Sequence, residues 1–252
     1  MPSIYIRVNF FKKILLLILF TTLTSCVHPN IRTIDPVQSL LKTAKKSFVK
    51  IEVSVWSLTC IDKKDGKKEC TKQKLGGAWG SGSVVKYKGK KHILTVAHIC
   101  ESIRLNSMAE MTDQKLVYDF IATVEANNWN SYNLLPVKIN HQNDICLMSV
   151  QNIDAPFLKI SNKKPVYGEK IYTVASPGGL AENGMVPTFE GRFLGINDGR
   201  AYYSVPAMGG SSGSPLINSK GEVVGVTHSV YAYFHHVTVS TSFEELWKFI
   251  SK

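Results

Sequence analysis

The 252 residues of this chain are 44% hydrophobic and 19% charged, and their formal net charge is +11. The hydrophobic content is enough for a sizeable core and excludes a disordered chain, and ordinary glycine and aromatic contents exclude a fibrous one. The length allows one or two domains.

The N-terminal segment predicts export. Basic residues precede a short apolar run over 14–20, which is the pattern of a signal peptide; they are Arg7, Lys12 and Lys13. The run is far shorter than the roughly 20 apolar residues that a membrane span needs. Removal of this segment lowers the formal net charge from +11 to +8.

The residues that follow the apolar run resemble a lipidation signal. Leu23-Thr24-Ser25-Cys26 is similar to the bacterial lipobox, in which the cysteine is acylated and becomes the mature N-terminus. We therefore predict a lipoprotein signal peptide over 1–25 and a membrane anchor at Cys26. The expected location is the cell envelope, in the periplasm or at the outer membrane, because Val27 and not an Asp follows the cysteine. An ordinary signal peptide with an incidental Cys26 is the alternative.

The remaining positive charge favours binding to acidic partners or to anionic lipid headgroups. The alternative is a solvated basic surface without a specific partner. The basic residues are not interleaved with aromatic residues as in a nucleic-acid-binding module, so we expect no nucleic acid. No C-x-x-C pair is present, and we predict neither a metal nor a cofactor.

The segment 26–46 contains two prolines and a basic stretch, and we interpret it as a tether. From there the pattern indicates β-structure. Apolar residues alternate strictly over Val49–Val55, and many short apolar runs follow, separated by turn residues such as Asn197-Asp198-Gly199. Such a pattern is typical of an all-β sandwich or barrel. Only the end predicts a helix, with a capping box over Ser242–Glu245 and one apolar face formed by Phe243, Leu246, Trp247 and Ile250.

Four cysteines remain after Cys26, an even number that suggests two disulfides in an exported protein. Cys60 and Cys70 flank a polar stretch centred on Asp65-Gly66, which predicts a hairpin turn and brings the two cysteines opposite each other. Cys100 and Cys146 are left, and they form the second predicted pair. Two buried free thiols are the alternative for this second pair.

Three segments carry the candidate chemistry. His98 ends an apolar strand, Asp144 opens another, and Ser212 lies among glycines directly before a third. A serine hydroxyl needs an adjacent base, an imidazole can act as that base, and a carboxylate can orient the imidazole. We therefore predict His98, Asp144 and Ser212 as catalytic residues, with the N–H groups of Gly210 and Ser212 as the oxyanion hole. The chain order His, Asp, Ser and the absence of a G-x-S-x-G motif centred on Ser212 exclude an α/β-hydrolase, which needs the order Ser, Asp, His.

The second pair of cysteines is linked to these segments. Cys100 lies two residues past His98, and Cys146 lies two residues past Asp144 on the same strand face. If His98 and Asp144 meet, the two thiols are near neighbours. A bond between them would fix the histidine segment against the aspartate strand.

The segments TVAH, NDICL and GSSGSPL resemble the three motifs of trypsin-like (chymotrypsin-fold) serine peptidases. GSGSVV, YGEKIYTVASPGGL and GEVVGV are similar to the HtrA protease domain, and GSP after the serine is similar to glutamyl endopeptidases. The resemblance covers roughly 47–252. It implies two antiparallel six-stranded β-barrels, at about 47–155 and 156–240, followed by a C-terminal helix over 241–252. Only 40 residues follow Ser212, so we expect no PDZ domain.

The resemblance implies a serine endopeptidase acting on a protein or peptide substrate through an acyl-enzyme. A catalytically silent chymotrypsin-fold binding protein is the main alternative, and an esterase with the same residues is another. Ser211 stands where zymogen-type relatives have an Asp that binds a newly formed N-terminus.

Three residues are predicted to line the specificity pocket: Pro206, Thr227 and His228. Pro206 stands where a Lys- or Arg-specific relative has a carboxylate. Glutamyl endopeptidases have a His at the position of Thr227, whereas here His228 follows one residue later, and a shift by one residue reverses the face of a strand side chain. We therefore expect a small or medium apolar residue before the scissile bond.

Overall fold

The structure is a computed structural model that describes residues 35–101, 115–124 and 129–252. The predicted signal peptide, Cys26 and the first part of the predicted tether lie outside the described residues. The helices are α1 (Pro36–Ser47), α2 (Ala97–Cys100) and α3 (Phe243–Ser251). The strands are β1 (Phe48–Asp62), β2 (Lys68–Tyr87), β3 (Lys90–Thr95), β4 (Lys115–Val124), β5 (Asn130–Asn140), β6 (Ile145–Val150), β7 (Lys159–Ile160), β8 (Lys170–Val174), β9 (Thr188–Asn197), β10 (Arg200–Tyr203), β11 (Pro215–Ile217), β12 (Glu222–Tyr231) and β13 (Phe234–Thr241).

The first six strands close an antiparallel barrel in the order β1-β2-β3-β6-β5-β4. The alternation along β1 explains why this strand forms, since Val49, Ile51, Val53 and Val55 are all buried in the core. β3 pairs with β6, with Thr95 opposite Cys146. This pairing places the end of β3 beside the start of β6. The predicted His98 follows β3 and the predicted Asp144 precedes β6, so the two residues lie at the same end of the strand pair.

β1 and β2 continue beyond the barrel as an exposed hairpin. The turn contains Gly66 at a φ of 79°, and the Gly66 N–H donates to the Lys63 carbonyl at 3.0 Å. Cys60 lies directly opposite Cys70, with a Cα separation of 4.0 Å, and the two are bonded. The hairpin and its disulfide agree with the sequence prediction.

The remaining strands form a second barrel. Its sheet runs β11-β8-β9-β10-β13-β12, the pairing of β11 with β12 closes it, and β7 adds to β12 in parallel. The core of this barrel includes Ile171, Phe193, Tyr203, Leu216 and Val224. The prediction of two antiparallel six-stranded barrels followed by a C-terminal helix is confirmed.

α3 begins at the predicted cap, where the Ser242 hydroxyl accepts a hydrogen bond from the Glu245 N–H. The buried face differs from the prediction at three positions, because Phe249 is buried, Trp247 is exposed and Ile250 is only half-buried. Phe243, Leu246 and Phe249 are buried, whereas Trp247 is 41% exposed and stacks on Phe243. Positions three residues apart along the helix therefore form the face that packs against the barrels.

α1 was not expected, because the sequence analysis interpreted this segment as part of a tether. The helix packs Val37, Leu40, Leu41 and Ala44 against the core. These residues have the i, i+3, i+4, i+7 spacing of one helix face, which the neighbouring lysines obscured in the sequence. Within the described residues, no helix is long and apolar enough to cross a membrane.

The two disulfides should differ in their effect on stability. Removing Cys100–Cys146, which is buried, should lower the free energy of unfolding by about 2–5 kcal/mol. Removing Cys60–Cys70 should cost less, because the exposed hairpin can open locally while both barrels stay folded. Denaturant unfolding of the two double-alanine variants measures this difference. Equal losses for the two pairs would contradict it.

Candidate active site

His98 lies in the single turn of α2, immediately after β3. Its neighbours Ala97 and Ile99 are buried and fix this turn against the first barrel, while the imidazole is 38% exposed. Nδ1 lies 2.7 Å from Oδ2 of Asp144. The structure thus brings the predicted histidine and aspartate together, and Nε2 has no hydrogen-bond partner among the described residues.

Asp144 contacts His98 through both of its carboxylate oxygens. Its Oδ1 accepts a hydrogen bond from the His98 backbone N–H at 2.9 Å, while Oδ2 bonds the ring. Burial raises the pKa of Asp144, but the hydrogen bonds and charge of His98 outweigh it, so the pKa is lowered below its usual value. The carboxylate is therefore ionised at neutral pH and fixes both the position and the tautomer of the imidazole.

The turn that presents Asp144 is unusual, because Asp144 has a φ of 49°. Only a few side chains, Asp and Asn among them, tolerate this left-handed conformation. Asn143 anchors the turn to the C-terminal region: its Nδ2 donates to Glu245 Oε2 at 2.7 Å, and its carbonyl accepts from the Thr241 hydroxyl. α3 therefore helps to position the aspartate.

The second disulfide joins the same two segments. Cys100 ends α2 and is bonded to Cys146, the second residue of β6, with a Cα separation of 6.5 Å. The link fixes the histidine segment against the strand that follows Asp144, with the pairing that the sequence predicted.

Ser212 lies in the tight loop before β11. Gly210 and Gly213 have φ values of 92° and 90°, and their surroundings leave no room for a side chain. A Cβ at Gly210 would lie 2.4 Å from the Ser176 carbonyl oxygen, and one at Gly213 would lie 1.9 Å from that of Ser81. Both glycines are therefore required by backbone conformation and by close approach.

Ser81 on β2 connects this loop to the first barrel, and the sequence analysis did not identify its role. Its N–H donates to the Ser212 carbonyl at 2.7 Å, and its hydroxyl donates to the Gly210 carbonyl at 2.9 Å. The same hydroxyl accepts from the Ser176 N–H at 3.0 Å. The sequence signal was the glycine on each side of Ser81, since small neighbours allow such a close approach of two backbones.

The N–H groups of Gly210 and Ser212 remain available. In the part of the chain that the structure describes, neither donates to a protein acceptor. The flanking residues are held instead, because the Gly213 N–H donates to the Thr227 carbonyl at 2.7 Å and the Ser211 N–H donates to the Met208 carbonyl at 2.9 Å. Two free N–H groups beside the serine are what an oxyanion hole requires.

The predicted specificity residues have different environments. Pro206 is half-buried, and Thr227 is buried within the second barrel. His228 is the extra residue of a β-bulge, because Thr227 pairs with Ser240 and Ser229 pairs with Val239. The sequence did not reveal this bulge.

His228 instead lines a cavity of about 580 Å³ together with Asp144. We call it the charged cavity; its ionisable lining residues are His141, Asp144, Asp198, Arg200, His228, Glu245 and Lys248. Burial lowers the pKa of His228; the Asp144 charge raises it, and the charges of Arg200 and His98 lower it, with a net lowering. His228 is therefore uncharged at neutral pH.

Comparisons with known proteins agree with this geometry. The family model for the trypsin-like peptidase domain matches residues 80–226, a stretch that contains His98, Asp144 and Ser212. This chain belongs to the trypsin-like peptidase family. The resemblance drawn from the three motifs is confirmed. Within the described residues, no group of His, Cys, Asp and Glu is arranged to hold a metal ion.

Individual relatives of this trypsin-like peptidase are distant. It is 28% identical over 166 residues to the serine protease HTR4 of Rattus norvegicus, a match that covers 62% of this chain and 30% of the relative. The chain thus spans under a third of the length of that curated relative.

Two solved structures share the fold. The Rv3671c protease from M. tuberculosis, in its active form, is 16% identical with a TM-score of 0.58, and the match covers 84% of this chain and 83% of that one. The serine endoprotease from Yersinia pestis is also 16% identical with a TM-score of 0.58, and the match covers 83% and 63% of the two chains.

Gly213→Ala should disrupt the site. The positive φ alone costs about 1–2 kcal/mol in an alanine, and the clash with the Ser81 carbonyl forces the loop to move. We expect lower thermal stability and loss of Ser212 labelling by a fluorophosphonate. Gly209→Ala is the matched control, because nothing lies within 4 Å of its added Cβ. Full labelling of the Gly213→Ala variant would refute this account of the loop.

Proposed function

We propose that this protein is a serine endopeptidase that hydrolyses peptide bonds with His98, Asp144 and Ser212 as its catalytic triad. The proposal rests on two contacts between Asp144 and His98. Oδ2 of Asp144 lies 2.7 Å from Nδ1 of His98, and Oδ1 accepts a hydrogen bond from the His98 backbone N–H at 2.9 Å. Family membership and the glycine-bounded loop around Ser212 support it.

In the proposed acylation step, His98 Nε2 removes the hydroxyl proton of Ser212 while Oγ attacks the substrate carbonyl carbon. The N–H groups of Gly210 and Ser212 stabilise the negative charge on the oxygen. The imidazolium, balanced by Asp144, then gives its proton to the leaving nitrogen as the C–N bond breaks. Water then attacks the acyl-enzyme with the same proton transfers through His98, and the carboxylic acid product is released.

We propose a small or medium apolar residue before the scissile bond. Pro206 supplies no carboxylate for a basic side chain, and Ala207 beside it is small and buried. A glutamyl preference is disfavoured, because Thr227 is buried and His228 lines the charged cavity with Asp144. Cleavage of a peptide library measures this preference and separates a peptidase from an esterase.

A catalytically silent binding protein is the alternative from a different class. Such proteins usually lack a triad or oxyanion residue, whereas every such position of this chain is retained. Fluorophosphonate labelling of Ser212 discriminates between the two, since only an activated serine reacts.

Ser212→Ala should lower kcat by at least about a thousandfold and leave the fold intact, because the half-exposed hydroxyl contributes little to packing. Asp144→Asn should also be severely impaired. Ser219→Ala, an exposed serine in the turn before β12, is the control. Retention of proteolysis by Ser212→Ala would disprove the assignment.

We also propose that the protein is a lipoprotein of the cell envelope, acylated at Cys26. Cys26→Ser should release it from membranes, since acyl chains and not a spanning helix would hold it. Fractionation of cells that express each form measures the release. The Cys60/Cys70 double-alanine variant is the control, because it loses cysteines but keeps the acylation site. A wild-type protein found entirely in the soluble fraction would contradict the proposal.

A further inference from the structure

The turn between β2 and β3 carries a dense group of lysines, at the end of β3 that lies away from the triad. Lys86 on β2 is directly opposite Lys91 on β3, and Lys88 occupies the turn. On β5, Lys138 reaches the same place, since its Nζ donates to the Tyr87 hydroxyl at 3.3 Å. We call this group the lysine face; its members are Lys86, Lys88, Lys90, Lys91 and Lys138.

No carboxylate neutralises the lysine face. Among the described residues, no carboxylate oxygen lies within 4.0 Å of these ammonium groups, and the ion pairs of that part of the chain involve other lysines. Lys91 donates instead to the Ile153 carbonyl at 3.2 Å, and the Lys86 Nζ lies 5.5 Å from the centre of the Phe157 ring. Asp154 follows Ile153 in the sequence but forms no ion pair with either lysine. The face therefore keeps its positive charge.

Two features of this turn are unfavourable for the stability of the hairpin. Like charges directly opposite each other in a strand pair repel, and Lys86 and Lys91 have this arrangement. Lys88 and Gly89 have φ values of 47° and 80°, and Asn, Asp or Gly usually occupy such positions in a two-residue hairpin turn. Departures from local rules are expected where a function requires them. An anionic partner would convert the repulsion between the lysines into binding.

The lysine face lies close to the point where the N-terminal segment enters the fold. The Phe157 ring that Lys86 contacts lines a cavity of about 440 Å³ together with Pro36, the first residue of α1. Asp35, the first described residue, is nine positions after Cys26. A fully extended chain of that length spans at most about 30 Å. A lipid anchor at Cys26 would therefore keep the lysine face close to a bilayer.

This position and this charge favour a membrane surface as the partner. Anionic lipid headgroups present many negative charges in one plane, and each lysine near such a surface strengthens binding by about fivefold. Lys86, Lys88 and Lys90 are exposed at the end of a hairpin, which suits a broad plane of charge better than a single bound ion.

We propose that the lysine face is a docking surface for anionic lipid headgroups, which orients the anchored enzyme on the membrane. This inference rests on the proposed location in the cell envelope, because it requires a bilayer near Cys26. His98 follows the other end of β3, and the strand between Lys90 and Thr95 is roughly 17 Å long. Docking would thus leave the triad away from the headgroups and accessible to protein substrates.

The test compares two variants that lose the same charge, in the full chain carrying Cys26→Ser so that no acyl chain contributes. The lysine-face variant carries Lys86→Gln, Lys88→Gln and Lys90→Gln. The control variant carries Lys63→Gln, Lys64→Gln and Lys67→Gln in the β1–β2 turn, at the opposite end of β2. In that turn acidic residues are interspersed with the lysines. Co-sedimentation with vesicles gives the partition coefficient of each protein.

The lysine-face variant should bind vesicles of equal parts phosphatidylglycerol and phosphatidylcholine about a hundredfold more weakly than the parent protein, since each lysine contributes about fivefold. The control variant should lose no more than about fivefold. All three proteins should bind alike to pure phosphatidylcholine, and added salt should weaken binding of the parent to the anionic vesicles.

Three results would overturn the inference. Equal losses for the two variants would show that net charge alone is responsible. Binding of the parent that does not depend on phosphatidylglycerol would exclude recognition of anionic headgroups. Tighter binding of the parent to soluble polyglutamate than to the anionic vesicles would indicate an acidic protein as the partner.

A single substitution provides a second variant that suits the backbone of the turn. Asn tolerates the left-handed conformation at position 88, so Lys88→Asn should keep or raise the thermal stability. It should nevertheless bind the anionic vesicles about fivefold more weakly than the parent. Unchanged binding of this variant at full thermal stability would contradict the role of Lys88.

The inference and the proposed functions fail separately. Fluorophosphonate labelling of Ser212 should be the same in every lysine variant, and failure to label the wild-type protein would disprove only the peptidase function. If Cys26→Ser releases the protein from cell membranes but the two triple variants bind vesicles alike, only the role of the lysine face fails. If the parent docks on anionic vesicles but the wild-type protein is soluble in cells, the acylation of Cys26 fails and the lipid-binding surface remains.

Discussion

The site depends first on the contact between Ser81 and the loop that carries Ser212. Ser81 is fully buried, and it hydrogen-bonds the backbone of Gly210, Ser212 and Ser176. Buried polar groups that lose their partners are costly, so these bonds strongly favour one arrangement of the loop. Because Ser81 lies on β2 of the first barrel and the loop belongs to the second, the contact also sets the serine against the barrel that carries His98.

The position of Asp144 depends on a different set of contacts. Its left-handed backbone conformation is one that an isolated turn would rarely adopt, and Asn143, Thr241 and Glu245 stabilise it from the C-terminal region. The disulfide between Cys100 and Cys146 adds a covalent link at the same place. The histidine and aspartate are thus fixed within one barrel, whereas the serine is fixed between two, and the C-terminal helix contributes directly to the site.

Local sequence patterns predicted the structural elements that are determined by residues close together in the sequence. The alternation in β1, the Asp65-Gly66 turn and the cap at Ser242 each act within a few residues, and the structure agrees with all three. The bulge at His228 and the hydrogen bonds of Ser81 depend instead on segments far away along the chain. α1 was missed for a different reason: Val37, Leu40, Leu41 and Ala44 already had the spacing of one helix face, but the segment was interpreted from its prolines and its basic stretch.

The loop around Ser212 is ordered without the switch that zymogen-type relatives use. In those relatives an Asp next to the serine binds a new N-terminal ammonium group. Here Ser211 is buried, and its hydroxyl accepts a hydrogen bond from the Met208 N–H, while the Ser214 N–H donates to the Ser211 carbonyl. These bonds and those of Ser81 hold the backbone of the loop in place from within the described chain. Because Ser211 stands in place of that Asp, residues 206–214 contain no carboxylate that could bind a new ammonium group next to Ser212.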